Sequence, residues 1–213
     1  MLQKAGAAFI LELTNPTQNS DKYIIQKDQA LNLGVYGADF GYVGTYNKTK
    51  EVKEYFVCLK KLSDNLGINT KFTSNVSQNL EENLANKDSL HNIITNSYFD
   101  TFNYLNNNGR GNVAFLVLAG GWIESIFITS QLAITAKDKK QLIEQITNQK
   151  KSYSSLLLLS EVFKDDADVS ATVAKMKKVG SILEKSGEAL SETQLFELAD
   201  AIEVMRNEIV NAK

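Results

Sequence analysis

One cysteine, one proline, one histidine and one tryptophan stand among the 213 residues. The lone cysteine, Cys58, excludes an intramolecular disulfide. The lone histidine, His91, leaves no imidazole set for a metal, and H-E-x-x-H is absent. "DDAD" lacks the rest of a calcium loop, and neither a Walker A sequence nor a nucleophile elbow occurs. A serine or cysteine nucleophile would need His91 as its base, and nothing in "KDSLHNIITNSYF" pairs them. Cys58 lies within the apolar helical pattern "VKEYFVCLKKL" and reads as a buried, inert thiol. No catalytic residue, metal ligand or cofactor site follows from the pattern. A formal net charge of −2 gives no electrostatic footprint for nucleic acid. Period-two alternation between hairpin turns is missing, as is any repeat of solenoid length.

What is present has helical spacing. At 43% apolar and 23% charged residues the composition is that of an ordinary globular chain. Beyond Pro16 nothing interrupts helices with a second proline. The spacing predicts a helix over Asp21–Gly44, preceded by a lead-in of about 20 residues, extended or shortly helical. Val52, Tyr55, Phe56, Leu59, Leu62 and Leu66 share one face of the next, with Gly67 and Ile68 as its C-terminal cap. A short helix is predicted over Ser74–Leu84 and another over "DSLHNIITNSYFDTFNYLNNN", ending at the loop Asn106–Asn112. Further helices are predicted over Lys139–Phe163, after the turn Lys164–Asp168 until Gly187, and after a Ser191–Gln194 capping box. The sum is an all-α, single-domain bundle spanning residues 1–213, of about seven or eight helices.

"VAFLVLAGGWIESIFITSQLAI", Val113 to Ile134, is long enough to cross a membrane. Glu124 at its middle argues against that, because a central carboxylate costs about 2.5–3.5 kcal/mol on insertion scales. A helix apolar nearly all round, in a chain of this composition, is a central core helix. Gly34, Gly37, Gly41 and Gly44 line one face of an earlier helix, at about 1 kcal/mol each relative to alanine. The expectation is that this face packs directly on the helix carrying Gly120 and Gly121.

Polar chemistry is left to few residues. Asp39, with Tyr36, Tyr42 and Tyr46 on the same helix, either accepts tyrosine hydroxyls at a helix contact or lines a cleft. Glu124, beside Trp122, is either a satisfied core carboxylate or, with Trp122 and Asp39, part of a pocket between the two glycine-bearing helices. A buried carboxylate needs a partner, and a tyrosine hydroxyl, a lysine or free backbone N–H groups are the candidates. Tyr36, Asp39, Tyr42, Trp122 and Glu124 are therefore the pocket candidates.

Three stretches, "ELTNPTQNSDKYIIQKDQALNLGVYGADFGYVGTYNKTKEVKEYFVCLKKLSDNLGI", "KDSL" and "LAGGWIES", resemble a family of exported all-helical lipoproteins of Bacteroidetes. The resemblance is fuller over the first two-thirds of the chain and looser beyond. It implies a lipoprotein signal and a lipidated cysteine upstream, hence an N-terminal lipid anchor and an envelope address, periplasmic or at the outer membrane. It implies no activity and no catalytic residue. The expectation is a non-enzymatic envelope protein, binding or structural, whose partner is an envelope protein or a small ligand. A cytoplasmic helical adaptor, should no signal exist, and an enzyme with a carboxylate–tyrosine site are the alternatives.

Overall fold

Twenty-five residues from Gly111 to Thr135 form the helix around which the others assemble. In the computed structural model, which describes residues 2, 3, 5–68 and 87–212, seven α-helices are present and no strand is found among the described residues. They are α1 (Gln26–Thr45), α2 (Thr49–Asn65), α3 (Lys87–Asn107), α4 (Gly111–Thr135), α5 (Lys140–Ser160), α6 (Ala167–Lys185) and α7 (Glu192–Val210). The expected helix over Ser74–Leu84 lies outside the described residues.

Helix α4 touches α1, α3, α5, α6 and α7, while α2 docks on α1. It is long and apolar enough to cross a membrane, and 78% of its most apolar window is buried by the surrounding helices. The outer helices are amphipathic and turn one stripe inward. Val52, Tyr55, Cys58 and Leu62 make that stripe on α2. Val169, Val173, Met176, Val179 and Leu183 make it on α6. Burying each such side chain contributes about 1.5–3 kcal/mol before entropy is set against it.

Helix ends follow local chemistry. Gly67 takes φ +64, and Ile68 N–H returns to the Ser63 carbonyl at 2.9 Å, closing α2 with a left-handed cap. Ser191 and Gln194 form the reciprocal capping box of α7. The Asp166 carboxylate accepts from Val169 N–H at 2.9 Å, opening α6 from within "KDDAD". Helix α6 stops at Lys185, two residues before Gly187. Ser186 is already extended, and Lys150 Nζ takes the Ser186 and Gly187 carbonyls at 2.6 and 2.9 Å.

Helix α1 begins five residues later than its spacing suggests. Residues Thr17–Asp21 wind instead as a short 3-10 turn, and Ile25 is extended. The cause is competition for backbone carbonyls. Pro16 C=O accepts from the Tyr36 hydroxyl at 2.9 Å, and Thr17 C=O from the Cys58 thiol at 3.5 Å. An α-helix begun at Asp21 would use the carbonyls of Tyr23 and Ile24 internally, and Gln29 Nε2 takes both at 3.1 Å.

The glycine face is used in three ways. A Cβ on Gly34 would overlap the Val117 carbonyl of α4, and one on Gly120 would overlap the Leu31 carbonyl of α1. At these two positions the backbones touch, as expected. Gly37 instead receives the ring of Tyr98 from α3, whose hydroxyl donates to Gly34 C=O at 2.7 Å. Gly41 and Gly44 border a cleft rather than the α4 glycines.

Candidate functional site

Two polar features stand out in an apolar interior. One is a sealed network beneath the lead-in; the other is an open cleft on the opposite side of α1.

The network begins at Glu124, wholly buried at the middle of α4. Its partner is Arg206 of α7, whose Nε and Nη2 approach the carboxylate at 3.0 Å each. Neither a tyrosine, a lysine nor a backbone N–H plays the part expected from sequence. Arg206 also donates Nη2 to Leu13 C=O at 3.2 Å and lies 4.7 Å from the centre of the Phe127 ring. Three donors in a rigid fork satisfy both Glu124 and a backbone carbonyl, which a lysine point charge would do less well.

Asp39 of α1 is wholly buried beside this pair. Its Oδ2 accepts from Asn15 N–H at 3.0 Å. Its Oδ1 meets no protein donor. The neighbouring group is the Glu124 carboxylate, itself an acceptor, so only a proton on Asp39 completes the contact. Burial and the Glu124 charge push the Asp39 carboxyl well above the ordinary range. Burial pushes Glu124 up as well, opposed by the Arg206 fork and the Asp39 hydrogen bond. For Arg206, burial works against the charge, and the bonds to Glu124 more than offset it. The arrangement favours the neutral form of Asp39 near a Glu124 carboxylate that the Arg206 guanidinium holds.

Around it the lead-in runs antiparallel to α1. Tyr46 donates to Ala7 C=O at 2.9 Å, Tyr42 accepts from Ile10 N–H at 2.9 Å, and Tyr36 holds Pro16. Asn15, fully buried, uses its whole capacity. Its Nδ2 donates to Tyr23 at 2.9 Å and Asn32 at 3.2 Å, and its Oδ1 accepts from Asn19 at 2.8 Å. Tyr55 donates to Thr14 Oγ1 and lies 3.1 Å from Asn15 C=O. Tyr23 and Asn32 in turn take the last carbonyls of α7, Val210 at 2.9 Å and Ile209 at 3.1 Å. Burial raises the tyrosines, Tyr23 to about 12. These hydroxyls stay protonated donors at any physiological pH.

The cleft, of about 1060 Å³, lies among α1, α3, α4 and α5. Gly37, Gly41, Gly121, Leu118, Ile128 and Leu156 form much of its floor, and Trp122 and Tyr98 add aromatic walls. Ser125, Lys151, Ser152 and Ser155 are exposed and stand at its rim. Trp122 stacks on Tyr153 at 5.6 Å between ring centres, and its Nε1–H is buried without an acceptor. Of the residues expected from sequence, Tyr42 and Trp122 line this cleft, whereas Tyr36, Asp39 and Glu124 belong to the network.

The chain matches no family model, no curated protein and no solved structure. What it can do must therefore be argued from these two features. Among the described residues, no three His, Cys, Asp or Glu side chains converge as a metal site would need. Cys58 is buried, and burial pushes its thiol up, away from the thiolate form.

Sequence reasoning missed Arg206 and the lead-in. A signal for Arg206 was available. It falls between Ile202 and Ile209 at the spacing of the α7 apolar stripe, where a solvated arginine does not belong. Asn15, Asn19 and Ser20 gave none, since polar residues near a proline read as loop.

Proposed function

We propose that this chain is a non-enzymatic binding module of the cell envelope whose ligand occupies the α1–α3–α4–α5 cleft. The observation that carries the reading is the cleft itself: about 1060 Å³, walled by four helices, with an apolar floor and polar groups beside it. Ligand clefts run from about 300 to 1,000 Å³ and combine an apolar lining with a few polar groups, and this one has both the size and the composition. The unpaired Trp122 N–H in its wall is a cost of about 1–3 kcal/mol, of the kind that sites tolerate and cores avoid.

The non-enzymatic part rests on where the acids are. Asp39 and Glu124 are spent on Asn15 and Arg206, and no Asp, Glu, His or Cys is among the described lining residues of the cleft. General acid–base catalysis needs such a group within reach of substrate. The envelope address rests on the resemblance to exported helical lipoproteins, and the central helix reads as a core helix rather than a span.

Thermal denaturation against a broad library of metabolites, lipids and glycans tests the binding role. A native-state binder raises Tm by mass action, by about 2.7 kcal/mol at a hundredfold excess over Kd. Rises abolished by Ser125→Phe at the cleft rim support the reading, and a library without hits removes it. Fractionation of native cells tests the address. Recovery in the cytosol would favour the adaptor reading instead.

A further inference from the structure

The cleft is asymmetric in a way that bears on what it holds. Its floor is hydrocarbon and glycine: Gly37 and Gly121 are buried there, with Leu118, Ile128 and Leu156. Ser125, Ser152 and Ser155 are exposed at the edge, and Thr45, Thr129, Gln145 and Gln149 stand half-buried in the wall. Lys151 is the one charged side chain among the described lining residues, and it forms no ion pair among the described residues. The chain as a whole carries −2, so a lining with a cation and no acid runs against the balance of the molecule.

From this geometry we infer that the cleft takes a single-chain amphiphile with an anionic head, a long-chain carboxylic acid being the simplest form. The inference rests on the cleft being the ligand site. The acyl chain lies along the floor, where methylene groups meet apolar side chains instead of water. The head stays at the rim, near Lys151 and the serine hydroxyls, where it keeps partial hydration. A glycan fits less well. Sugar hydroxyls are commonly held by carboxylates and open aromatic faces, whereas this lining has no acid and Trp122 is already stacked on Tyr153.

Trp122 is the only tryptophan of the chain, so its fluorescence reports on the cleft wall alone. The experiment titrates the protein with 11-bromoundecanoate, whose bromine quenches indole on contact. The inference expects saturable quenching, reversed by dodecanoate. Undecanol, with the same chain and no charge, should compete less well. Lys151→Glu should weaken the acid about three- to ten-fold, the worth of one exposed ion pair, whereas Lys177→Glu on the far helix should not. Ser125→Phe, at an exposed position one turn from Trp122, should fold normally by circular dichroism and abolish quenching. Lauroyl lysophosphatidate run in parallel separates the two sources of such a ligand. Tighter binding than dodecanoate identifies a lipid, and weaker binding a free acid.

Quenching that never saturates, or that survives Ser125→Phe or Lys151→Glu undiminished, overturns the inference. If amphiphiles fail while another library compound raises Tm in a Ser125-dependent way, the ligand class is wrong and the binding role stands. If neither occurs, both fall.

Discussion

Asp39 and Glu124 are two wholly buried acids in one core network, and burial with the Glu124 charge holds the Asp39 carboxyl well above its ordinary range. Two charges so close cannot both be carried against one Arg206. The proton on Asp39 is thus part of the fold, as much as the hydrogen bond from Asn15 on its other oxygen.

Stability should consequently fall with pH over a window set by Asp39. The unfolded carboxyl loses its proton near 3.9, while the folded one keeps it well above that value. Between the two the folded state binds more protons, so stability declines as pH rises and levels off past the folded value. Asp39→Asn can still accept from Asn15 and donate to Glu124. It should flatten this difference and melt at or above the parent at pH 8. A variant that melts well below the parent at pH 8, with the slope intact, would show that Asp39 is ionised.

Removing one side of the Glu124–Arg206 pair leaves the other charge buried. Arg206→Met is expected to cost about 3–5 kcal/mol. Glu124→Gln, which loses charge-assisted bonds but keeps its shape, should cost about 1–3 kcal/mol. Combining them should cost less than the sum, because the second change removes a charge the first had stranded. Additive losses in urea denaturation would mean that the two side chains do not depend on each other.

The glycines should divide sharply. Gly34→Ala and Gly120→Ala force a methyl group into backbone carbonyls that cannot swing aside, and each should cost about 1–3 kcal/mol or more. Gly187 has open space around it and no positive φ, so Gly187→Ala should gain about 0.4–1 kcal/mol. Equal melting temperatures for Gly120→Ala and Gly187→Ala would sink the close helix contact.

Asn15 is the sharpest probe of the lead-in. Asn15→Leu strands Tyr23, Asn32 and Asn19 at once and should cost several times the roughly 1 kcal/mol of Tyr55→Phe, which loses one hydroxyl. Limited proteolysis near residue 15 should accelerate in Asn15→Leu. Unchanged cleavage would mean the lead-in is held by other contacts.

Most of the helical architecture was legible because amphipathic spacing is local information. The stripe on α2, the Gly67 cap and the Ser191–Gln194 box each lie within a few residues. Burial of Glu124 was legible too, since its helix is apolar on every side. Its partner was not, because Arg206 lies 82 residues away and only folding brings it near. Sequence spacing set Asp39 beside Tyr36, Tyr42 and Tyr46, but Asp39 takes Asn15 N–H rather than a tyrosine hydroxyl, and the tyrosines bond to lead-in backbone at Pro16, Ile10 and Ala7. A segment without periodicity, buried through side-chain bonds to its backbone, leaves no pattern to read. The cleft was barely legible: the glycine spacing points to a helix contact, true at Gly34 and Gly120, whereas Gly41 and Gly44 border the cleft, and Ser125, Lys151 and Ser152 come together only through the packing of α5 on α4.

The bond from Arg206 to Leu13 joins positions 193 residues apart. During synthesis α7 leaves the ribosome after the other six helices. Until then Glu124 has no counter-charge, the lead-in has no clasp, and the central helix cannot close its interior. A nascent chain of this design stays open to handling factors until α7 has emerged. A chain cut short before Arg206 would leave the Glu124 carboxylate buried without its counter-charge.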